Sequence, residues 1–314
     1  MKNKHKLLFS AACVLLLSGC GGGSSNSSTS DDNNSSNTES SFTISSQNDS
    51  WQIIANGTPL HDLDPDAYAN TYQTQSYSLT LDATPNLATA DTQISDEFPK
   101  AFGITLDGVK LDPLTAECYD ASGNRQSNPT SSCTYRQDAL QTISDLGFDD
   151  YFGHVQPNRG SYHYHAYSSN AAKLIYKKFT GEEPASDVDL VLIGLSRDGF
   201  PVYFSLKNTE TSGYSVDTTI SRTAFRGGDT ANGLYVEDYK YVASDGTLDN
   251  CNGKTAAPPM DYSDFTTSGG FALDTSINYY YVVTTRFKSD DNTTPNFPAI
   301  PHCFKGHVSS SDGF

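Results

Sequence analysis

The sequence predicts a mainly β, α+β domain: antiparallel strands with a few short helices and two disulfides, forming a single unit over residues 42–314. Three observations predict it. Apolar and polar residues alternate in short runs rich in aromatic and β-branched side chains, as in Tyr77-Ser78-Leu79-Thr80-Leu81, which is the pattern of a half-buried strand. Asp-Gly pairs at Asp107-Gly108 and Asp198-Gly199 mark tight turns between strands. Helical periodicity is confined to two short stretches, and four cysteines lie downstream of the first twenty residues.

The chain's opening residues carry an export signal. Met1 to Lys6 is short and basic, and Leu7 to Leu17 is apolar apart from Ser10. That run is shorter than the ~20 residues a bilayer span requires, but it suits a secretory signal over residues 1–19. Leu17-Ser18-Gly19-Cys20 looks like a bacterial lipobox, with Cys20 as the lipidated residue. Dual acylation would anchor the chain firmly, since each buried CH₂ contributes roughly 0.8 kcal/mol. Gly21 after Cys20 resembles the outer-membrane sorting pattern, so the expected location is the cell envelope, facing periplasm or exterior. From Gly21 to Ser41 no apolar residue occurs. Nothing there offsets the entropy of ordering, and a flexible tether with a reach of roughly 25 Å is expected.

Loss of Lys2, Lys4 and Lys6 with the signal takes the formal charge from −17 to −20. Such acidity argues against nucleic acid and anionic lipid as partners; the membrane contact expected is the lipid anchor alone. No second linker and no repeat stands out beyond residue 42, and that length suits one sizeable core.

Strands are expected at Tyr77–Leu81, Ala101–Val109, Val188–Leu195, Pro201–Leu206 and Asn278–Phe287, with Arg197-Asp198-Gly199 turning one into the next. Gln137 to Leu146 places Leu140, Ile143 and Leu146 on one helical face before Gly147. Ala171 to Phe179 reads as a second helix, capped by Ser169 or Asn170 and stopped at Gly181. Cys118, Cys133, Cys251 and Cys303 are even in number in an exported chain, which favours disulfides. Of three connectivities, Cys118–Cys133 with Cys251–Cys303 is preferred, because the first closes a short polar loop. Chain-entropy reasoning gives such a ~15-residue loop roughly 3 kcal/mol. A zinc site lacks any CxxC pair.

The densest chemistry is histidine. Of seven histidines, His154, His163 and His165 fall within twelve residues, around Pro157-Asn158-Arg159-Gly160. On an extended strand His163 and His165 share one face and Tyr162 and Tyr164 the other. The intervening turn can fold His154 back toward the pair. Three converging imidazoles would hold a divalent transition metal (zinc, copper or iron) and leave a position open. Asp149, Asp150 and Asp198 are candidate oxygen donors. Asp198, at a hairpin tip, is also the candidate orienter or general base for a metal-dependent hydrolase or oxidase, and Glu117 a weaker one. With methionine only at Met1 and Met260, a methionine-rich Cu(I) carrier is disfavoured. The competing reading is a non-catalytic binding module, whose Tyr162, Tyr164 and Tyr167 would stack on a glycan, peptide or small-molecule ligand. Geometry discriminates: ring nitrogens meeting at one point favour metal, and splayed rings beside a tyrosine ledge favour binding.

Gly153-His154-Val155-Gln156-Pro157-Asn158 followed by Tyr162-His163-Tyr164-His165 resembles the exported YHYH-domain proteins. Gly103 to Val109, Ala116-Glu117-Cys118-Tyr119, Ile193 to Tyr203, Leu248 to Gly253 and Ile300 to Gly306 resemble that family's other blocks in order, so the likeness covers about Ala101 to Gly306. The resemblance implies a common fold, the His, Asp and Glu positions and the Cys251–Cys303 pairing, and no established activity. Phe204 and His302 depart from the family pattern, and His302 is left out of the candidate site.

Two weaker motifs are set aside. Gly194-Leu195-Ser196-Arg197-Asp198 approaches a nucleophile elbow but places Asp198 where the second glycine belongs. Asp62-Leu63-Asp64-Pro65-Asp66 lacks the glycine and glutamate of a calcium-binding EF-hand.

Overall fold

The computed structural model describes residues 39–63, 68–94, 101–126, 133–142, 147–222, 229–263, 272–285, 296–308 and 314. The expected signal peptide, Cys20 and most of the tether lie outside the described residues. Residues 37–314 form one compact unit. The structure is strand-rich, with one α-helix and two 3₁₀ segments among the described residues.

Its centre is an eight-stranded sheet. In spatial order the strands are Gly153–Val155, Tyr162–Tyr164, Lys110–Leu111, Gly103–Thr105, Leu190–Ser196, Pro201–Ser205, Tyr280–Val283 and Gly253–Lys254. Most neighbours are antiparallel, but Tyr162–Tyr164 runs parallel to Lys110–Leu111, and Pro201–Ser205 parallel to Tyr280–Val283. A meander of Phe42–Gln47, Ser50–Ala55 and Tyr77–Asp82 contributes Trp51, Ile53, Leu79 and Leu81 to the main core. Tyr77–Asp82 shows the expected alternation, its odd positions buried and its even ones exposed.

The helix runs Ser169–Thr180, one turn longer than the apolar pattern suggested. Its N-cap is Ser168, whose Oγ accepts from the Ala171 amide, and Gly181 closes it at φ +80°, the left-handed conformation glycine adopts at low steric cost. The segment expected as a helix from Gln137 is a 3₁₀ turn at Ala139–Thr142, and residues 143–146 lie outside the described ones. The expected strand Ala101–Val109 is corrected to a shorter one, Gly103–Thr105, and the next strand, Lys110–Leu111, starts beyond it. The chain turns at Asp107-Gly108, where Thr105 Oγ1 bonds the Asp107 carboxylate and Gly108 has φ +89°. Both disulfides form as expected, Cys118–Cys133 and Cys251–Cys303.

The absence of a repeat is also corrected, because the sheet is two copies of one four-stranded unit about a pseudo-two-fold axis. Gly103-Ile104-Thr105-Leu106-Asp107-Gly108-Val109 superposes in role on Gly194-Leu195-Ser196-Arg197-Asp198-Gly199-Phe200. The two segments pair with each other, Ile104 opposite Leu195. Leu106 N donates to Ile193 O and Arg197 N to Phe102 O, the same bond made from each side. In the outer strands Asp149 Oδ1 accepts from the amides of Tyr151 and Gly153, and Asp249 Oδ1 from those of Cys251 and Gly253. Tyr162 Oη donates to Asp149 at 2.7 Å, and Tyr279 Oη to Asp249 at 3.0 Å.

At the axis the two backbones nearly touch. A Cβ on Gly103 would lie 2.4 Å from Leu195 O, and one on Gly194 would lie 2.4 Å from Ile104 O. Gly103→Ala and Gly194→Ala are therefore expected to destabilise the protein by similar amounts, about 3 kcal/mol each, because backbone here cannot yield as a side chain would. Urea unfolding of the two variants checks this; a cost under 1 kcal/mol for either would contradict the close approach.

Candidate metal centre

The Gly153–Val155 and Tyr162–Tyr164 strands form an antiparallel pair joined by the Pro157–Gly160 turn, with His154 opposite His163. Asn158 (φ +67°) and Gly160 (φ +63°) supply the left-handed positions the turn requires. Register puts the two imidazoles on one face, and strand alternation adds His165 to them. His163 Nε2 lies 3.2 Å from His154 Nε2 and 3.0 Å from His165 Nε2. The ring nitrogens meet rather than splay.

Hydrogen bonding alone explains this meeting poorly. His163 Nδ1 faces the Ser161 carbonyl at 3.2 Å. A carbonyl only accepts, so Nδ1 carries the proton and His163 Nε2 presents a bare lone pair. Two further Nε2 atoms then converge on one acceptor. A tetrahedral ion with N ligands at 2.0–2.1 Å would separate them by about 3.3 Å, close to what is seen. The Ser161 carbonyl is the kind of outer partner that fixes the tautomer of a ligating histidine.

Burial reinforces the lone-pair state. His163 and His165 are 4% and 5% exposed, and His154 is half-buried. Burial pushes the proton affinity of His163 well below the ordinary histidine value, helped by the charges of His165, His154 and Lys110 and opposed by the Ser161 carbonyl. Burial lowers His165 likewise, His154 and Lys110 adding to it and the Asp112 backbone opposing. Phe148 stacks on His165 at 5.2 Å and meets His154 edge-on at 4.9 Å, forming an apolar wall. The three histidines could hold a metal ion.

The other expected site residues lie elsewhere. Asp198 is 1% exposed and fully engaged: Oδ1 accepts from Ser196 Oγ, and Oδ2 from Tyr281 Oη at 2.7 Å and Gly306 N at 2.8 Å. Burial pushes its carboxyl up, against those hydrogen bonds. Its twin Asp107 repeats the role, accepting from Thr105 Oγ1 and Leu60 N, which marks this aspartate as part of the shared turn. Asp198→Ala is expected to lower stability by about 3 kcal/mol, the cost of orphaning buried donors, and to leave metal uptake by the histidines unchanged; unfolding curves and elemental analysis together check it. Glu117 pairs with Arg125. Both Asp149 oxygens are taken by Tyr68, Tyr162 and backbone amides, and Asp150 is exposed. His302 packs edge-on against Phe297. Tyr162, Tyr164 and Tyr167 are each at most 1% exposed, so these three form no surface ledge.

The second half of the sheet shows what the scaffold itself requires. Its positions equivalent to His154, His163 and His165 are Lys254, Tyr280 and Val282, by matching register. The aspartates, glycines and tyrosines of the unit are kept while the histidines are not. Sequence reasoning missed Phe148, Ser161 and Lys110 around the cluster. Lys110 reaches it through a parallel pairing no local pattern encodes.

A family model described as "YHYH protein" matches residues 76–306, a span that also takes in the Tyr77–Asp82 strand. No curated protein and no solved structure matches the chain. A match over more than half of the chain, holding the Tyr162-His163-Tyr164-His165 strand at the centre of the site, places this protein in the YHYH protein family.

Proposed function

We propose that this protein is a cell-envelope metalloprotein, held to the membrane through Cys20, in which His154, His163 and His165 bind one divalent transition ion through their Nε2 atoms. The observation that carries the reading is the meeting of three Nε2 atoms, two pairs of them at 3.0 and 3.2 Å. The internal twin supports it, since an equivalent strand pair forms without histidines and so gives them no structural necessity. Zinc, copper and iron all accept imidazole nitrogen. A bound ion would polarise a ligand or activate water at its remaining position. The chain's own part is to present three lone pairs, fix the His163 ring through Ser161 and exclude water with Phe148. The export reading agrees with the two disulfides, and no helix among the described residues is long and apolar enough to cross a membrane.

The test is elemental analysis of the whole chain, purified without chelator or histidine tag, beside His163→Ala/His165→Ala. Near-stoichiometric metal in the parent, lost in a variant that keeps its circular dichroism, is the expected result. Metal absent from the parent after reconstitution with zinc, copper and iron would sink the reading and return the search to glycan and peptide ligands.

A further inference from the structure

We propose that Lys305 and Asn250 join in an intramolecular isopeptide bond, with Asp91 as the group that moves the protons; the inference stands apart from the metal site. The three side chains meet where the Leu87–Gln93 strand pairs with Cys303–Gly306, a pairing whose register shifts between Phe304 and Gly306. Lys305 Nζ donates to Asn250 Oδ1 at 2.8 Å and lies 3.0 and 3.1 Å from the two Asp91 carboxylate oxygens. Asn250 Nδ2 donates to Asp91 Oδ2 at 2.8 Å. One carboxylate thus touches both the attacking amine and the amide nitrogen it would replace. A second, Asp249 Oδ2, lies 3.9 Å from Nζ but is bound by Tyr279 Oη. An amine in hydrogen-bond contact with a carboxamide oxygen lies close to its carbon, and such contact turns a sluggish bimolecular aminolysis into an intramolecular one.

The backbone holds the reacting pair in place. The Cys251–Cys303 disulfide, Cα–Cα 5.2 Å, adjoins both residues in sequence. Lys305 N donates to Tyr281 Oη at 2.6 Å, and Tyr214 Oη donates to Asn250 O at 2.9 Å. The lysine and aspartate side chains are 20% and 30% exposed, so water competes only in part. The shared sheet unit requires neither reacting residue. By the matching amide bonds of Asp149 and Asp249, Asn250 corresponds to Asp150; by those of Asp107 and Asp198, Lys305 corresponds to Pro59. The step balances without a co-reactant. Asp91 takes a proton from the Lys305 ammonium, and the freed lone pair on Nζ attacks Asn250 Cγ. The Nζ–Cγ bond forms and the Cγ–Nδ2 bond breaks. The proton held by Asp91 and a second one shed by Nζ leave with Nδ2 as ammonium. Burial raises the Asp91 carboxyl, but the hydrogen bonds from Asn250 and Lys305 outweigh it and hold it below the usual carboxylate range. The resting pair is therefore charged, and the bond forms slowly. The product closes a loop of 55 residues, nearly the one that the disulfide closes, and keeps it closed when the disulfide is reduced.

The experiment digests the whole chain with trypsin after reduction and alkylation, both fresh and after ageing in mildly alkaline buffer. The expected product is a branched peptide joining the Asn250 and Lys305 segments, lighter than their sum by one ammonia, about 17 Da. Fragmentation must place the link on those two residues, because cyclisation at Asn252-Gly253 loses the same mass without joining two peptides. Lys305→Arg, which keeps the cation, and Asn250→Ala should give no branched peptide. Asp91→Asn should form it about a hundredfold more slowly, and all three should keep the parent's circular dichroism. On reducing, denaturing gels the aged parent should run ahead of Lys305→Arg, its loop still closed. Only unlinked Asn250 and Lys305 peptides in the aged parent overturn the proposal, and an equal rate in Asp91→Asn overturns the role given to Asp91.

Discussion

The variant His154→Lys/His163→Tyr/His165→Val, which copies the second half of the sheet onto the first, is expected to fold and to bind metal at least a hundredfold more weakly than the parent. Loss of a mere outer partner of a metal ligand typically costs ten- to a hundredfold, and this variant removes all three ligands. Folding should survive because the same backbone unit already exists in the molecule with those side chains. Lys254 and Tyr280 occupy a register pair there, and Val282 is buried. His163→Ala/His165→Ala guards against overpacking by the new tyrosine, since truncation removes volume. Metal affinity by competition with a chromophoric chelator, beside thermal unfolding, makes the measurement. Parent-like affinity in both variants would place the metal elsewhere; parent-like affinity in neither, with stability within about 2 kcal/mol of the parent, is the expected outcome.

How far this site was legible in the sequence depends on the range of the interactions that build it. Alternation along one strand is local, so the shared face of His163 and His165 could be read from their i, i+2 spacing. The return of His154 could be read from Pro157-Asn158-Arg159-Gly160, whose residues favour a turn. Asp198 misled because an aspartate at a hairpin tip looks available. Its engagement depends on Tyr281 and Gly306, which lie 83 and 108 residues away and carry no local mark. The duplication was hidden for a related reason: what the halves share is a handful of positions, such as Gly103 and Gly194 or Asp149 and Asp249, scattered among changed side chains. Those positions are fixed by backbone approach and amide bonding. Side-chain class, which governs similarity by eye, is free to drift around them. Strand limits were nearly right where burial alternates, as at Tyr77–Asp82. The Ala101–Val109 run was carried through its own Asp107-Gly108 turn cue because its residues are buried on both sides of the turn, so the apolar pattern continues past it.

Removing either partner of the buried Arg222–Asp238 pair is expected to cost about 3–5 kcal/mol, the range for leaving one charge uncompensated in an interior. Both side chains are 0% exposed, so solvent does not screen them. Arg222 lies on the Ser221–Arg222 strand. It donates through Nη1 to Asp238 Oδ1 and through Nη2 to Thr230 O at 2.9 Å, and its guanidinium sits 5.4 and 4.9 Å from the ring centroids of Tyr135 and Tyr235. Asp238 Oδ2 also accepts from the amides of Asn232, Gly233 and Tyr235 at 3.1–3.3 Å. The carboxylate thus holds a turn as well as a charge, and the two roles separate by substitution. Asp238→Ala and Arg222→Ala should each lower the unfolding free energy by the full amount. Arg222→Met/Asp238→Asn keeps a carbonyl oxygen for the three amides and removes both charges together. It should recover well over half of the loss, because the attraction between the charges is largely offset by the desolvation of each. Urea titration of the four proteins tests this. Single variants within 1 kcal/mol of the parent would mean that water reaches the pair, and a double variant as unstable as both singles combined would mean that the two side chains act independently, with no coupling between their charges.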